Sequence, residues 1–328
     1  MARSSLSAPR APGIRGRGSA QVTALLGVGL LLGACGGDGA PRQFLSLGTG
    51  GTGGIYYPLG GALASRLSVG DEVRQYTAEV TGGSVENVNR ILAGQIDLGF
   101  SLAVTAFQAH NGVGDFQTPA SELRIVAPLY ANLTHILVPG SSTAQSLGEL
   151  RGRRVSVGSA GSGTEQVSKQ LLELYGLGYD DVDVRYLTFS ESAAALRDGA
   201  IDAAIFSVGY PASAVLEATT TGGVRLLGMD DEAIARLRAV YPYYSAGTIP
   251  AGAYPGVDTE IGTVAMMNWV VGAESLDAGV VTALLNILAT DRVSLEQVHE
   301  MAAQIDPARL AESPIPLHSA AEQWLASR

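Results

Sequence analysis

The sequence predicts an α/β protein built from two similar doubly wound lobes, each a sheet flanked by helices, with a ligand cleft between them. Three observations predict it. Short apolar strands alternate with helices, and the order βαβαβ implies a parallel layer. One unit recurs: the strand and glycine turn at Leu45–Gly53 are matched at Arg154–Thr164, and Ile91-Leu92-Ala93-Gly94-Gln95-Ile96-Asp97 is matched by Leu196-Arg197-Asp198-Gly199-Ala200-Ile201-Asp202. The offsets of 110 and 105 residues describe one structural unit present twice. The third observation is composition: 42 glycines among 328 residues, with 46% hydrophobic and 16% charged residues. Extended disorder is excluded by that hydrophobic content and collagen by the lack of a Gly-X-Y period, so the glycines belong to turns, positive φ and close approach by a ligand.

The chain opens with Arg3, Arg10, Arg15 and Arg17 ahead of a charge-free apolar run from Val22 to Ala34. That is the layout of a secretory signal, and the run is too short for a comfortable membrane span. It ends at Leu32-Gly33-Ala34-Cys35, which resembles a bacterial lipobox, and Cys35 is the single cysteine. Residues 1–34 are expected to be a lipoprotein signal peptide, Cys35 the lipidated mature N-terminus, and 35–41 a tether; an ordinary signal peptide with an incidental cysteine is the alternative. Removing four arginines and no acid leaves 17 basic against 31 acidic residues, a net charge of −14. Such a surface is ill suited to nucleic acid or to anionic lipid, so the membrane link of a chain exported behind this signal would be the Cys35 lipid.

Phe44 to Leu47 is a strand, followed by the glycine turn and a helix from about Pro58 to Leu67, with Pro58 suited to a first turn. An extended piece ends at Glu79-Val80, then Thr81-Gly82-Gly83-Ser84 opens a helix through Leu92. Gly94 stops it, and Ile96 to Phe100 forms a buried strand. Leu123 to Leu129 and His135 to Val138 are further strands. Arg154 to Val157 enters the second glycine turn, and a helix with Thr164 as N-cap runs to Tyr175. Crossing strands are expected near Tyr130–Val138 and Thr263–Val271. Helices Ala278–Leu288 and Ser294–Ala303 then return to the first lobe, giving lobe 1 as 42–135 with 266–328 and lobe 2 as 136–265.

Both glycine turns lie at the carboxyl ends of their strands, where open α/β sheets bind ligands. There, bare N–H groups and the positive ends of helix dipoles favour an anion. The candidate ligand-binding residues are Thr49, Gly50, Thr52, Gly53 and Tyr56 on the first turn, Thr81, Gly83, Ser84 and Asn87 on the second, and Ser159, Ser162, Gly163 and Thr164 on the third. Tyr130, Ser207 and Tyr210 are candidates for the cleft wall. Arg90 and Arg197 fall on helices and are expected to be solvated, so capture relies on N–H groups and hydroxyls.

Gly48-Thr49-Gly50-Gly51-Thr52-Gly53 also satisfies the dinucleotide fingerprint, but Glu79 is too far along to serve as its ribose acid. His110, His135, His299 and His318 have no metal spacing. Asp180-Asp181-Val182-Asp183 lacks the glycine and glutamate of a calcium loop, and no G-x-S-x-G elbow occurs. No cofactor, metal or catalytic residue is expected.

The run Gly48 to Gly60, then Thr81-Gly82-Gly83-Ser84-Val85-Glu86-Asn87, resembles the signature of the TAXI family, solute-binding receptors of TRAP transporters. Leu129-Tyr130, Gly158–Thr164, Gly209-Tyr210-Pro211, Ile249–Gly256 and Ile315-Pro316-Leu317-His318 follow in family order across nearly the whole mature chain. Ala131-Asn132 departs from the Pro-Glu common in the family. The resemblance implies a type II periplasmic-binding-protein fold that closes on a small carboxylate, a glutamate-like amino acid or a dicarboxylate. It also implies delivery to a TRAP membrane permease, usually of fused subunits and driven by an ion gradient. A binding lipoprotein of an ABC importer and a secreted enzyme on the same scaffold are the alternatives.

Overall fold

A computed structural model describes residues 42–221 and 223–328. The signal peptide, Cys35 and the tether expected above lie outside the described residues. In the first half come β1 (Gln43–Gly48), α1 (Tyr56–Gly70), β2 (Arg74–Glu79), α2 (Ser84–Leu92), β3 (Leu98–Leu102), α3 (Ala103–Asn111) and the long β4 (Leu123–Pro139). Then follow β5 (Arg154–Ser156), α4 (Gly163–Leu174), β6 (Asp183–Arg185), α5 (Phe189–Arg197), β7 (Ala203–Val208), α6 (Ser213–Thr221), β8 (Val224–Leu227), α7 (Asp231–Val240) and β9 (Tyr244–Ile249). The chain ends with β10 (Ile261–Ala273), α8 (Ala278–Thr290), α9 (Arg292–Glu296) and α10 (Ser319–Ala326).

The strand order is β2-β1-β3-β10-β4-β7-β5-β6, with β8 added on β4 and β9 on β10. The order is a palindrome: β1, β2 and β3 are mirrored by β5, β6 and β7, with β10 and β4 as equivalents at the centre. The internal repeat is therefore visible as architecture. Asp97 shows it at atomic scale, because its carboxylate accepts from the Ser46 N–H at 2.7 Å while its own N–H donates to the Ser46 carbonyl. Asp202 does the same with Arg154, at 2.8 Å for the carboxylate bond. The parallel pairing expected from βαβαβ holds within each half, β1 with β2 and β3, β5 with β6 and β7. The central strands β4 and β10 run antiparallel to their neighbours.

Helix α1 holds its sheet through Leu59, Leu63 and Leu67, spaced four apart and buried. Each such burial contributes roughly 1.5–3 kcal/mol. The largest fully buried side chains include Trp269, Tyr130, Phe100 and Phe206, all on strands β10, β4, β3 and β7 at the centre of the sheet. No described helix is long and apolar enough to cross a membrane.

Four expectations need correction. The strands expected at 123–129 and 135–138 are one strand of 17 residues, because β4 pairs with β10 over its first half and with β7 and β8 over its second. The strand expected at Ile96–Phe100 begins at Leu98, since Asp97 is spent on the bond to Ser46. The helix expected at Ser294–Ala303 stops at Glu296; His299 then caps a separate 3-10 turn by accepting from the Met301 N–H. The N-cap of α4 is Ser162, which accepts from the Glu165 N–H, and Thr164 sits inside the first turn.

Candidate functional site

Four helices open toward one cavity. The residues that start α1 (Ile55, Tyr56), α2 (Gly83, Ser84), α4 (Ser162, Gly163, Thr164) and α5 (Thr188, Phe189) all line it. The palindrome explains the convergence: α1 and α4 follow β1 and β5, while α2 and α5 follow β2 and β6. Each helix presents N–H groups that have no partner inside the helix, with the positive end of its dipole behind them. The remaining wall includes Leu102, Tyr130, Asn132, Ser159, Ser207 and Val208, with Gly50, Gly51, Gly53, Gly54 and Gly82. The space holds about 60 Å³, where a water occupies about 10–15 Å³ by the same measure. That is room for a small solute or a few waters.

Lys, Arg, Asp, Glu and His are all missing from the described wall. Carboxylates around the wall are engaged with their own loops: Glu86 accepts from the Gly82 N–H at 2.7 Å, Glu165 from the Gly161 N–H at 3.1 Å, and Glu191 from the Thr188 N–H and hydroxyl, both at 2.8 Å. Burial pushes the Glu165 carboxyl above its ordinary pKa, with Asp115 adding to the shift and the Gly161 N–H opposing it. Arg90 pairs with Glu79 and Arg197 with Asp198 and Glu217, so neither guanidinium reaches the cavity.

The floor is a relay of neutral groups across the central strands. Tyr56 donates its hydroxyl to Asn268 Oδ1. Asn268 Nδ2 donates to the Tyr130 carbonyl and to Asn132 Oδ1, both at 2.8 Å, and Asn132 Nδ2 donates to the Ser207 carbonyl at 2.7 Å. The ladder between β4 and β10 shifts register between Met267 and Trp269, leaving Tyr130 unpaired and its carbonyl free for the amide. Burial holds the hydroxyls of Tyr56 and Tyr130 far above the ordinary pKa of tyrosine, so both stay neutral.

The two halves meet on both sides of this cavity. On one side the Glu86 N–H donates to the Gly161 carbonyl at 3.0 Å, and Gln166 Nε2 donates to Gln108 Oε1 at 2.8 Å and Asp115 Oδ2 at 2.9 Å. On the other, the Gly53 carbonyl accepts from Ser213 Oγ at 3.1 Å and the Ala214 N–H at 3.3 Å. Glycine is required here by the facing half. A Cβ on Gly163 would lie 2.7 Å from Ser84 Oγ and Leu102 Cδ1, and one on Gly53 would lie 2.5 Å from Ser190 Oγ. These glycines are therefore closure contacts as well as cavity wall.

Of the candidates read from sequence, Gly50, Gly53, Tyr56, Gly83, Ser84, Tyr130, Ser159, Ser162, Gly163, Thr164 and Ser207 come together on the wall. Thr49, Thr52, Thr81, Asn87 and Tyr210 do not. Thr49 is buried and donates to the Glu79 carbonyl at 2.6 Å, and Thr81 donates to the Thr49 carbonyl at 3.1 Å. Asn87 Nδ2 donates to the carbonyls of Gly48, Thr49 and Phe100, stitching α2 to two strands. Thr52 is exposed. Thr188, Phe189, Asn132 and Asn268 were missed. The 105-residue offset carries Gly83-Ser84 onto Thr188-Phe189, so the repeat itself held that signal.

The family model that matches, over residues 47–326, is the NMT1-like family. This chain belongs to the NMT1-like family. Among solved structures, this NMT1-like chain is similar to PhnD1 from Prochlorococcus marinus (MIT 9301) in complex with methylphosphonate: 14% identity, 80% of this chain and 91% of that chain, TM-score 0.53. It is also similar to a putative L-cystine ABC transporter from Listeria monocytogenes, with 15% identity, 80% and 98% coverage and TM-score 0.50. The alkanesulfonate-binding protein SsuA from Xanthomonas axonopodis pv. citri, bound to MOPS, matches at 18% identity, 88% and 85% coverage and TM-score 0.48. The NMT1-like chain has the two-lobed periplasmic-binding-protein fold.

Proposed function

We propose that the protein is an extracytoplasmic solute receptor that closes its two lobes on a small carboxylate and hands it to a membrane permease. The observation that carries this reading is the convergence of four helix N-termini on a cavity whose described wall bears no charged side chain. Such groups stabilise an anion without a counter-charge. The ligand set is the eleven sequence candidates on the wall, extended by Asn132, Thr188 and Phe189. The receptor performs no turnover. Its work is to bind better in the closed state than in the open one.

The lobes are 42–135 with 266–328 and 136–265. This division is supported by the strand pairing: β4 leaves β10 for β7 at Leu133, and β10 exchanges β9 for β3 between Met266 and Asn268. A TRAP permease, commonly fused and ion-driven, is the partner suggested by the TAXI-like motifs, with Cys35 as lipid anchor in the periplasm. The similarity to a structure described as an ABC transporter favours a second reading, a binding lipoprotein of an ABC importer.

A thermal-shift screen of the mature protein against amino acids, di- and tricarboxylates, sugars and cations tests the first reading. Carboxylates should raise the melting temperature. Stabilisation by sugars or cations alone would sink it. Uptake in vesicles bearing the neighbouring permease should follow a sodium gradient for TRAP and ATP for the importer. Replacing Cys35 by serine should release the protein from membranes, and continued membrane retention of that variant would remove the anchor.

A further inference from the structure

Building on that reading, we infer that the cavity selects anionic solutes that carry no ammonium group, so that amino acids are excluded and their deaminated counterparts are the ligands.

The inference rests on which polar groups at the wall are free. An ammonium is held best by a carboxylate, and the described wall has none. Each amide oxygen that could replace one already accepts a hydrogen bond from a neighbour. Asn132 Oδ1 is occupied by Asn268 Nδ2, Asn268 Oδ1 by the Tyr56 hydroxyl, and the Ser207 and Tyr130 carbonyls by the two amide nitrogens. What remains free is backbone N–H groups, which only donate, and hydroxyls, which donate or accept. Several N–H groups at the starts of α2, α4 and α5 are capped by their own loops, and those of Ser84, Gly163, Thr164 and Phe189 are left without a partner among the described residues. Thr164 and Ser207 are each 5% exposed and line the cavity, with no protein partner for either hydroxyl among the described residues. Neither hydroxyl oxygen is sealed from solvent, so both are open to a solute in the cavity.

The two halves of an amino acid would thus fare differently. Its carboxylate meets oriented N–H groups and hydroxyls, the surroundings that hold a carboxylate ionised. Its ammonium meets the aromatic and aliphatic walls of Tyr56, Tyr130, Phe189 and Val208. A buried charge without a partner is strongly unfavourable, so the discrimination should be on the order of 100-fold or more.

Calorimetric titration of the mature protein tests this, with every carboxylate that stabilises it in the thermal screen measured beside its α-amino counterpart, beginning with glutarate against L-glutamate. The expected result is at least about 100-fold tighter binding of the member without the ammonium. An amino acid that binds as tightly as its deaminated counterpart, or tighter, overturns the inference while leaving the carboxylate receptor in place. If no carboxylate of either kind binds, the receptor reading itself falls and takes this inference with it. Asn132→Asp puts a carboxylate on the wall and should narrow the gap at least about tenfold; an unchanged gap in a folded variant counts against the inference. The wild-type pairs decide the matter even if that variant does not fold.

Discussion

Asn268 on β10 donates its side-chain amide to Asn132 Oδ1 on β4 at 2.8 Å, directly beneath the cavity. Both residues are buried, 0% and 4% exposed, and both lie where the central strands change partners. The pair ties these partner-changing strands to the cavity wall through Tyr56 and Ser207. Asn268→Ala would strip partners from the Tyr56 hydroxyl, Asn132 Oδ1 and the Tyr130 carbonyl. Unsatisfied buried groups cost about 1–3 kcal/mol each, and partial relaxation should leave a net loss of roughly 2–4 kcal/mol. The urea midpoint should drop with the m-value unchanged. An unaltered midpoint would show that the relay contributes nothing to stability.

Gly163→Ala tests closure. The added methyl would meet Ser84 and Leu102 of the facing half, which resists full approach of the lobes. Overpacking of this kind should lower ligand affinity about tenfold. Gly61→Ala on α1 is the control, because nothing lies within 4 Å of a Cβ there and Gly61 is off the wall. Equal affinities for the two variants would mean that Gly163 does not limit closure.

Thr164→Val removes a hydroxyl from the wall at nearly constant shape and should weaken carboxylate binding about tenfold. Thr52→Val should leave affinity unaltered, because Thr52 is exposed and off the wall. The reverse ranking in calorimetry would move the site toward the first glycine turn.

His135 gives the fold a pH dependence. Its Nδ1 lies 3.0 Å from the Leu133 carbonyl, so that nitrogen carries the proton and Nε2 accepts from the Tyr254 hydroxyl at 3.0 Å. Burial, opposed by the Leu133 carbonyl, lowers its pKa from 6.5 to about 4. The folded state therefore binds the proton more weakly than the unfolded one. Stability from this group is complete above pH 6.5 and is lost as pH falls toward 4, by at most about 3 kcal/mol. Urea midpoints across that range should decline in the wild type. A flat profile would place the histidine in a wetter or charge-paired site.

Much of this architecture was legible because the chain says it twice. The offsets of 110 and 105 residues anticipated the palindromic sheet, and Asp97 and Asp202 sit at matching places because a strand start in each half needs the same backbone anchor. Helix starts at glycine turns were legible for the same local reasons. The relay beneath the cavity was not. Asn268 is a single polar residue in an apolar run, and its partners lie 136 and 212 residues away, so only the register of β10 on β4 discloses its task. Asn87 stands apart from the rest of its motif: its side-chain nitrogen holds three backbone carbonyls, a task that its neighbours in sequence do not disclose.

An uncharged cavity inside so acidic a chain separates arrival from residence. If the chain is the proposed receptor, an anion approaching its net charge of −10, or −14 once residues 1–34 are removed, is repelled until salt shortens the reach of that field, to about 8 Å at physiological ionic strength. On that reading, an enclosed anion meets no charged side chain of the described wall, and its escape follows reopening of the lobes. Raising salt should then quicken association and leave dissociation nearly untouched, so that affinity grows with ionic strength. Stopped-flow measurements would show the sign at once, and it is opposite to that of a receptor holding its anion with arginine.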